Sequence, residues 1–240
     1  MPKRQTIEPL EYGDTYHIFN RGINSTDLFL CQRDYEYFLE LYARFIHPVA
    51  DTYAWVLVKN HFHFLVRIKN KEEIPFLRPF SAEFRSEADT TNLTLTGLPT
   101  LSGHCGNDLS GCEAADRVDK VKKANPTRQF SHLFNGYARY FNIKNRRHGG
   151  LFETPFKKIR VNTEKYFRRL VYYIHRNPVN HGFTEHILDW GWSSYLTIIS
   201  VKPTRLSRET VLGYFDDAAN FKAYHQQQHD LNDMENLLLE

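Results

Sequence analysis

The order of hydrophobic and polar positions predicts a strand, a helix, a hairpin and a second helix along the chain. Residues 16–22 form a β-rich run that ends at a glycine, and apolar residues recur at helical spacing over 34–48. Two β-rich runs, 53–58 and 61–68, are separated by only two residues, which predicts a tight hairpin. Helical spacing returns over 128–144, where the aromatic residues share one side of the predicted helix.

A strand and one more helix complete the pattern. Residues 151–161 are predicted to be extended, and Asn162 or Thr163 caps a helix that runs to about Arg176. Pro178 ends this helix because proline disfavours helical backbone at the residue before it. The order is the βαββαβ order of a ferredoxin-like α+β sandwich with an extra helix. We expect an antiparallel four-stranded sheet with helices on one face.

A long segment without aromatic residues interrupts this pattern. Residues 85–129 contain no Phe, Tyr or Trp, although aromatics make up 15% of the chain. The sequence therefore predicts a core of residues 1–84 and 128–182, an insertion or mobile loop at 85–127, and a C-terminal wrap and helical tail at 183–240. Smaller predicted elements are a hairpin at 92–96, a packed wrap at 190–195, and helices at 207–215 and 218–239.

The positive charge of the chain is concentrated in one segment. Residues 117–176 carry 16 Lys and Arg against three acidic residues, whereas the other 180 residues carry 15 basic and 25 acidic ones. Such a split favours a polyanionic partner, and the interleaved aromatics suit single-stranded nucleic acid, although their helical spacing is also typical of core packing. The candidate contacts to the backbone of a nucleic acid are Arg146, Arg147, Lys157, Lys158, Arg160 and Arg176.

Composition and the first residues exclude some classes of protein. No apolar run approaches the ~20 residues that span a bilayer, and the N-terminus lacks the apolar core of a signal peptide. We expect a cytoplasmic protein with no membrane partner. Three cysteines without framework spacing argue against a disulfide scaffold. A zinc site of His104, Cys105 and Cys112 is a weak alternative because that spacing fits no common zinc knuckle.

Two histidines in the second strand of the hairpin are the first candidates for chemistry. Because side chains two apart in a strand share a face, His61 and His63 lie together, while Phe62, Phe64 and Val66 point towards the helices. Paired imidazoles can form half of a divalent metal site. Two surface histidines would give the same pattern.

A tyrosine and an asparagine near the end of the last core helix are the second candidates. Tyr173 and Asn177 are four residues apart, so they are neighbours on one helix face. Asn177 precedes Pro178, and we expect its amide oxygen to turn towards a metal where the helix unwinds. In the alternative interpretation, Tyr172 and Tyr173 are packing residues and Asn177 caps the helix end.

Taken together, these segments resemble a known enzyme family. The chain is similar to the single-tyrosine HUH transposases, and among them to the REP-associated tyrosine transposases of bacteria. The resemblance rests on residues 16–22, 59–66, 173–182 and 192–195. Two histidines alternating in a strand are unspecific, but their combination with the later Tyr-Ile-x-x-Asn-Pro-Val segment is much more specific.

The resemblance implies a site and a reaction. His61 and His63 would bind Mg²⁺ or Mn²⁺, Asn177 would be the third ligand, and Tyr173 would be the nucleophile. The enzyme would cleave and rejoin single-stranded DNA, on REP-like hairpins, through a 5′-phosphotyrosine. A phenol with an ordinary pKa of about 10 is a poor nucleophile at neutral pH, so it needs a well-placed phosphate and help in losing its proton.

Other functions and properties stay open at this point. The same sandwich could bind single strands without cleavage, as RNA-recognition domains do, although no RNP-like run is present. A metal-dependent nuclease could use water, with Tyr173 only orienting the phosphate. The choice between a monomer and a dimer is open, as are the recognised DNA sequence and the use that the cell makes of the enzyme.

Overall fold

The computed structural model describes residues 8–77 and 122–230. Contacts group Phe76–Lys123 into a separate compact unit, of which a two-residue antiparallel ladder between Phe76–Leu77 and Lys122–Lys123 is described. The elements of the larger unit are β1 (Thr15–Arg21), α1 (Gln32–Phe45), β2 (Ala50–Val58), β3 (His61–Ile68), α2 (Pro126–Lys144), β4 (Lys157–Arg160), α3 (Glu164–Asn180), α4 (Tyr195–Ile199), α5 (Arg208–Gly213) and α6 (Ala218–Gln226).

The four strands form one antiparallel sheet in the order β2–β3–β1–β4. β2 and β3 are a hairpin closed by the two-residue turn at 59–60, as predicted. β1 lies inside the sheet and pairs with β3 on one side and β4 on the other. The predicted α+β class with a four-stranded antiparallel sheet is confirmed.

Both faces of this sheet are covered, whereas the element order alone predicts helices on one face. Phe62, Phe64 and Val66 of β3 pack in one core with α1 and α2, as the alternation predicts. Leu65 of β3 and Val56 of β2 belong to a second core, shared with α3 and the C-terminal helices. Because the second face also carries apolar side chains, it has to be buried against another layer.

Capping sets the start of two core helices. α1 begins at Gln32, two residues before the predicted start at Asp34, because the Asp34 carboxylate accepts the N–H groups of Leu30 and Cys31. α2 begins at Pro126, again two residues early, and the side chain of Asn125 accepts the N–H of Arg128. Proline fits the first turn because its missing N–H has no partner there in any helix.

Two predicted boundaries in the second half of the core are wrong. β4 covers only Lys157–Arg160 of the predicted 151–161, since Phe152 makes a single bridge and Pro155 has no N–H for the ladder. α3 continues past Arg176 to Asn180 with Pro178 inside its last turn, so the proline does not end the helix at the residue before it.

The extension of α3 changes the expected position of Asn177. Its carbonyl oxygen accepts the N–H of His181 at 3.1 Å, and the carbonyl of Pro178 accepts the N–H of Phe183 at 2.8 Å. Asn177 therefore lies on regular helix and not where a helix unwinds. The predicted cap is correct, because the hydroxyl of Thr163 accepts the N–H of Tyr166.

The chain after α3 returns to the sheet and covers the edge of β2. The N–H of Leu57 donates to the carbonyl of Trp192, and the N–H of Ser194 donates to the carbonyl of Trp55, each at 2.9 Å. Val56 and Ser193 form an antiparallel bridge between these bonds. This confirms the predicted wrap and gives it a definite partner.

The helices of the C-terminal region agree in part with expectation. Helices predicted at 207–215 and 218–239 correspond to α5 and α6, with α6 ending at Gln226, and α4 was not predicted. Residues after 230, the predicted hairpin at 92–96 and the alternative zinc ligands lie outside the described residues. The three-part division of the chain stays a prediction. Among the described residues, no helix is long and apolar enough to cross a membrane.

A chain of hydrogen bonds between buried histidines joins α6 to α3. His225 Nδ1 lies 2.8 Å from the carbonyl oxygen of Phe221 and donates to it, so its Nε2 accepts from Nδ1 of His175 at 2.9 Å. His175 Nε2 then accepts the hydroxyl of Ser194 at 2.8 Å, and that oxygen accepts the N–H of Trp55. The two bonds in which a ring nitrogen accepts, at Nε2 of His225 and at Nε2 of His175, require a neutral ring.

This chain predicts a stability that falls in mild acid. Burial lowers the pKa of His225 from 6.5 to about 4. Protonation therefore favours the unfolded chain: the contribution of His225 is complete above about pH 6.5 and is lost as the pH falls towards 4. Between pH 7 and pH 5, we expect this group to lower the free energy of unfolding by about 2 kcal/mol in urea denaturation.

The variant His225→Phe should lose about that much less stability over the same interval. His186→Phe, which replaces an exposed histidine, should keep the wild-type dependence on pH. Equal losses in the wild type and in His225→Phe would contradict the assignment.

Candidate active site

The candidate residues meet between the sheet and α3. His63 of β3 is opposite Phe19 of β1, which is in turn opposite Lys157 of β4, so all three side chains share one face of the sheet. His61 lies two residues from His63 on the same face. α3 packs across this face and contacts β2 and β3. Strand pairing therefore assembles groups that are far apart in the sequence.

Asn177 connects the two histidines and the tyrosine. Its Oδ1 lies 3.0 Å from Nε2 of His61, and its Nδ2 lies 3.3 Å from Nε2 of His63 and 3.3 Å from the hydroxyl of Tyr173. Its side chain is fully buried. The three groups named by the histidine and tyrosine motifs are thus arranged around one amide, as the sequence predicts.

The ring nitrogens of His61 and His63 that face Asn177 donate or accept according to the tautomer of each ring. His61 Nδ1 lies 2.7 Å from Oδ1 of Asn60 and its Nε2 lies 3.0 Å from Oδ1 of Asn177, so a neutral ring donates to only one of the two amide oxygens. Burial, followed by the charge of His181, lowers the pKa of His61 to about 3. Burial also holds the pKa of His63 well below its ordinary value, with further lowering by His17 and His61. Both rings are neutral at neutral pH.

These donors fit a divalent cation. Nε2 of His61 and Oδ1 of Asn177 lie 3.0 Å apart, and both can bind a cation when the proton of His61 is on Nδ1. Two ligands at right angles, each about 2.1 Å from an octahedral ion, also lie about 3 Å apart. The described part of the chain contains no group of three or more His, Cys, Asp or Glu side chains that could hold a metal. The candidate site therefore depends on the amide of Asn177 as its third donor.

The two adjacent tyrosines of α3 point in different directions. Tyr173 is 5% exposed, and its ring meets the ring of His63 edge-on at 5.3 Å between centroids. Tyr172 donates its hydroxyl to the carbonyl of Gln227 at 3.0 Å and contacts Tyr224 and His229. Of this pair, only Tyr173 therefore faces His61 and His63.

A cavity of about 490 Å³ opens beside the cluster and gives it access to solvent. Its lining includes His61, His63, Tyr173 and Lys157 together with six residues without a predicted role, namely Phe19, Asn20, Arg21, Glu153, Asn180 and His181. Five of these six fall within the segments that carry the family resemblance, which was the signal for finding them. Glu153 lies outside those segments. It is brought to the site by the hydrogen bond from its backbone N–H to the carbonyl of Arg21, which the sequence does not reveal.

The walls of this cavity carry both charges. Arg21 and Glu153 form a half-exposed ion pair with 3.8 Å between Nε and Oε1. The ring of His181 packs edge-on against His61 with 4.7 Å between centroids. Lys157 adds a second cation from β4. Arg21 and Lys157 can attract a phosphodiester, and the single carboxylate of the lining, Glu153, reduces the net positive charge of the cavity.

The basic candidates of β4 divide between the two faces of the sheet. Lys157 lines the cavity. Lys158 points the other way and donates to the carbonyls of Glu8 and Pro9. Arg160, also on that opposite face, forms an ion pair with Asp14 at 2.6 Å. The structure therefore brings one of these three residues to the histidines and tyrosine.

The remaining basic candidates lie outside the cavity lining. Arg146 is exposed in the loop after α2, with a backbone φ of 50°. Arg147 of the same loop donates to the carbonyl of Gly150 at 3.1 Å. The guanidinium of Arg176 lies 5.7 Å from the ring centroid of Tyr172, on the side of α3 away from the histidines.

Comparison with known proteins identifies a similar fold. No protein-family model matches the chain, and no curated protein matches it. A solved structure of a REP-associated tyrosine transposase bound to a REP hairpin is similar, with a TM-score of 0.50 and 14% identity, over 83% of this chain and 88% of that chain. At that identity the likeness shows a shared fold alone.

The position of Asn177 predicts a cost for removing its amide. In Asn177→Leu, the facing nitrogens of His61 and His63 lose a buried partner, and we expect the free energy of unfolding to fall by about 1–3 kcal/mol. Asn180→Leu, which replaces an exposed residue one turn later, should alter the free energy of unfolding by less than about 0.5 kcal/mol. Urea denaturation of the two variants measures the difference. Equal effects would contradict a bonded role for the Asn177 amide.

Proposed function

We propose that this protein is a metal-dependent single-strand DNA transposase or endonuclease of the single-tyrosine HUH type. It would cleave and rejoin DNA on hairpin, REP-like sequences through a 5′-phosphotyrosine. The antiparallel order β2–β3–β1–β4 supports the matching proposal that the core is ferredoxin-like. The fold shared with a REP-associated tyrosine transposase is consistent with both proposals.

One observation carries the proposal. Two imidazole nitrogens and the hydroxyl of Tyr173 surround the single amide of Asn177, at the wall of a cavity open to solvent. Structural packing alone has no need of two imidazole nitrogens and a tyrosine hydroxyl that converge on one asparagine amide. A phosphodiester-cleaving site needs a nucleophile next to a group that polarises the phosphate.

The residues of this chain have distinct roles in the proposed reaction. The oxygen of Tyr173 attacks phosphorus, the bond from phosphorus to the 3′-oxygen breaks, and a 5′-phosphotyrosine and a free 3′-hydroxyl result. The phenol loses one proton and the departing oxygen gains one, so the step is balanced. Asn177 holds the tyrosine hydroxyl through its N–H, which restricts the nucleophile to one position.

His61, His63 and Asn177 would hold Mg²⁺ or Mn²⁺. When bound, the ion would supply Lewis-acid polarisation of a non-bridging phosphate oxygen. Lys157 and Arg21 lie at the same cavity and would bind the DNA backbone next to the cleaved bond. Arg146, Arg147, Lys158, Arg160 and Arg176 stay candidates for backbone contacts beyond the cavity.

A binding-only function has less support. RNA-recognition domains stack bases on aromatic side chains of an open sheet face. Here α1 and α2 cover one face and α3 covers the other. A nuclease that uses water is distinguished by the absence of a covalent adduct with DNA.

The nucleophile can be tested with labelled single-stranded hairpins in the presence of Mn²⁺. We expect the wild type to form a denaturation-stable, protease-sensitive adduct on a gel, and Tyr173→Phe to form none because it lacks the attacking oxygen. Tyr172→Phe is the matched control: it removes the neighbouring hydroxyl, which is bonded to Gln227 and faces away. It should retain the adduct.

Other outcomes of this assay separate the alternatives. Cleavage without an adduct that persists in Tyr173→Phe would indicate a nuclease that uses water. An adduct lost equally in both tyrosine variants would argue against Tyr173 as the specific nucleophile. Binding without cleavage, across hairpins of varied stem and flanking sequence, would favour the binding-only function.

Metal binding can be measured without DNA. We expect Mn²⁺ at 100 times its dissociation constant to stabilise the wild type by about 2.7 kcal/mol, and a chelator to reverse the effect. The double variant with His61→Ala and His63→Ala should show no such gain. His225→Phe, which removes a buried histidine outside the site, should keep it. A gain of equal size in the double variant would place the ion elsewhere.

A further inference from the structure

His17 of β1 is a fully buried histidine without a predicted role. Its Nε2 lies 2.9 Å from Nδ1 of His63, and its ring stacks on Phe19 and His63 with 4.7 Å and 5.1 Å between centroids. Its other ring nitrogen, Nδ1, is buried and has no hydrogen-bond partner among the described residues. A polar atom kept in a core without a partner is a cost that calls for a reason.

The bond between the two rings can have only one proton. Both rings are buried, and their facing nitrogens lie 2.9 Å apart with room for one hydrogen between them. Either His63 donates from Nδ1 to His17, or His17 donates from Nε2 to His63. The choice decides whether Nε2 of His63 carries a lone pair or a proton on the side of Asn177.

The contacts of Asn177 indicate which arrangement is present. Its Nδ2 donates towards Nε2 of His63 and towards the hydroxyl of Tyr173, so Nε2 of His63 is an acceptor. His63 then carries its proton on Nδ1 and donates it to His17. In this arrangement His17 carries its own proton on Nδ1, which is the nitrogen without a partner.

We propose that His17 is a positioning residue, which accepts the Nδ1 proton of His63 and so turns the lone pair of His63 Nε2 towards the metal site. The proposal rests on the proposed function for the metal itself, but the hydrogen bond and its direction belong to the metal-free protein. His17 would not touch substrate or metal. It would act only through His63, and the unpartnered nitrogen is what this role costs the fold.

A packing role predicts the opposite response to substitution. If His17 only filled space beside Phe19, leucine would serve as well and would remove the unpartnered nitrogen. Glutamine and asparagine separate the two ring positions, since the Gln amide reaches about as far as Nε2 of histidine and the Asn amide only as far as Nδ1. His17→Gln can therefore keep an acceptor for His63, and His17→Asn and His17→Leu cannot.

The first test is the tautomer of His63 in metal-free protein, read from long-range proton–nitrogen correlations of the histidine rings. We expect His63 to carry its proton on Nδ1 in the wild type and in His17→Gln. In His17→Leu and His17→Asn the proton should redistribute to Nε2. A wild-type proton on Nε2, or a tautomer unchanged in His17→Leu, would overturn the proposal.

The second test is the affinity for Mn²⁺ alone, measured by electron paramagnetic resonance of the free ion. Loss of a partner that orients a ligating histidine weakens metal binding by about 10- to 100-fold. We expect a loss of that size in His17→Leu and His17→Asn, and recovery to within a few-fold of the wild type in His17→Gln. Thermal unfolding of His17→Leu should show a melting temperature equal to or above that of the wild type.

The two tests distinguish failure of this inference from failure of the proposed function. Unchanged Mn²⁺ affinity in His17→Leu, with binding abolished in the double variant of His61 and His63, would overturn the role of His17 and leave the metal site. Absence of Mn²⁺ binding in the wild type would remove the metal from the proposed function, and the tautomer measurement would still decide the hydrogen bond. Weaker binding that follows a lower melting temperature in all three variants would indicate packing only.

Discussion

An imidazole ring buried between a sheet and a helix is favoured in its neutral form, and a ring nitrogen left there without a partner destabilises the fold. This constraint organises the centre of the protein. His61 and His63 meet it through Asn60, Asn177 and His17, and all of these contacts depend on α3 lying across the sheet. The same constraint recurs where His175 and His225 join α3 to α6. The helix that carries Tyr173 is thereby held from both sides by hydrogen bonds to uncharged rings, through Asn177 on the sheet side and through His175 on the other.

The local pattern of the sequence was sufficient to predict the four-stranded sheet and the proximity of the motif residues. Alternation over 61–66 predicts which side chains of β3 enter the core with α1 and α2, and four-residue spacing predicts that Tyr173 and Asn177 are neighbours. Coverage of the second face by α3 does not follow from periodicity, because it depends on where α3 packs; only the family resemblance, which places Tyr173 and Asn177 beside the histidines, implied it. The end of α3 was missed, because Pro178 lies inside its last turn and does not end the helix at the residue before it.

Residues that reach the site through strand pairing could not be predicted from their neighbours in the sequence. His17 meets His63 because β1 and β3 pair across a separation of 46 residues. Glu153 is brought to Arg21 by a backbone hydrogen bond at the end of β1, where its N–H donates to the carbonyl of Arg21. The composition of a short segment does not indicate with which residues of another strand it will pair.

The distribution of charge along the sequence does not show which basic residues reach the cavity, because that also depends on strand register. The basic segment of residues 117–176 is real, but β4 sends its alternate side chains to opposite faces. Lys157 reaches the cavity, while Arg160 pairs with Asp14 on the far side. A surface potential can attract a polyanion from any of these positions. Only the strand register separates a residue near the cleaved bond from one that neutralises a local carboxylate.

The segment at 190–195 has a consequence for how the protein behaves among other chains. An open edge strand offers unpaired backbone groups to any extended peptide and is a common start of aggregation. Trp192 and Ser194 occupy those groups on β2, so the chain ends its own sheet on that side. A foreign strand could extend the sheet there only by displacing the segment, whose Ser194 also belongs to the histidine chain behind α3. Protection against unwanted strand addition and the anchoring of the C-terminal helices are thus functions of the same few residues.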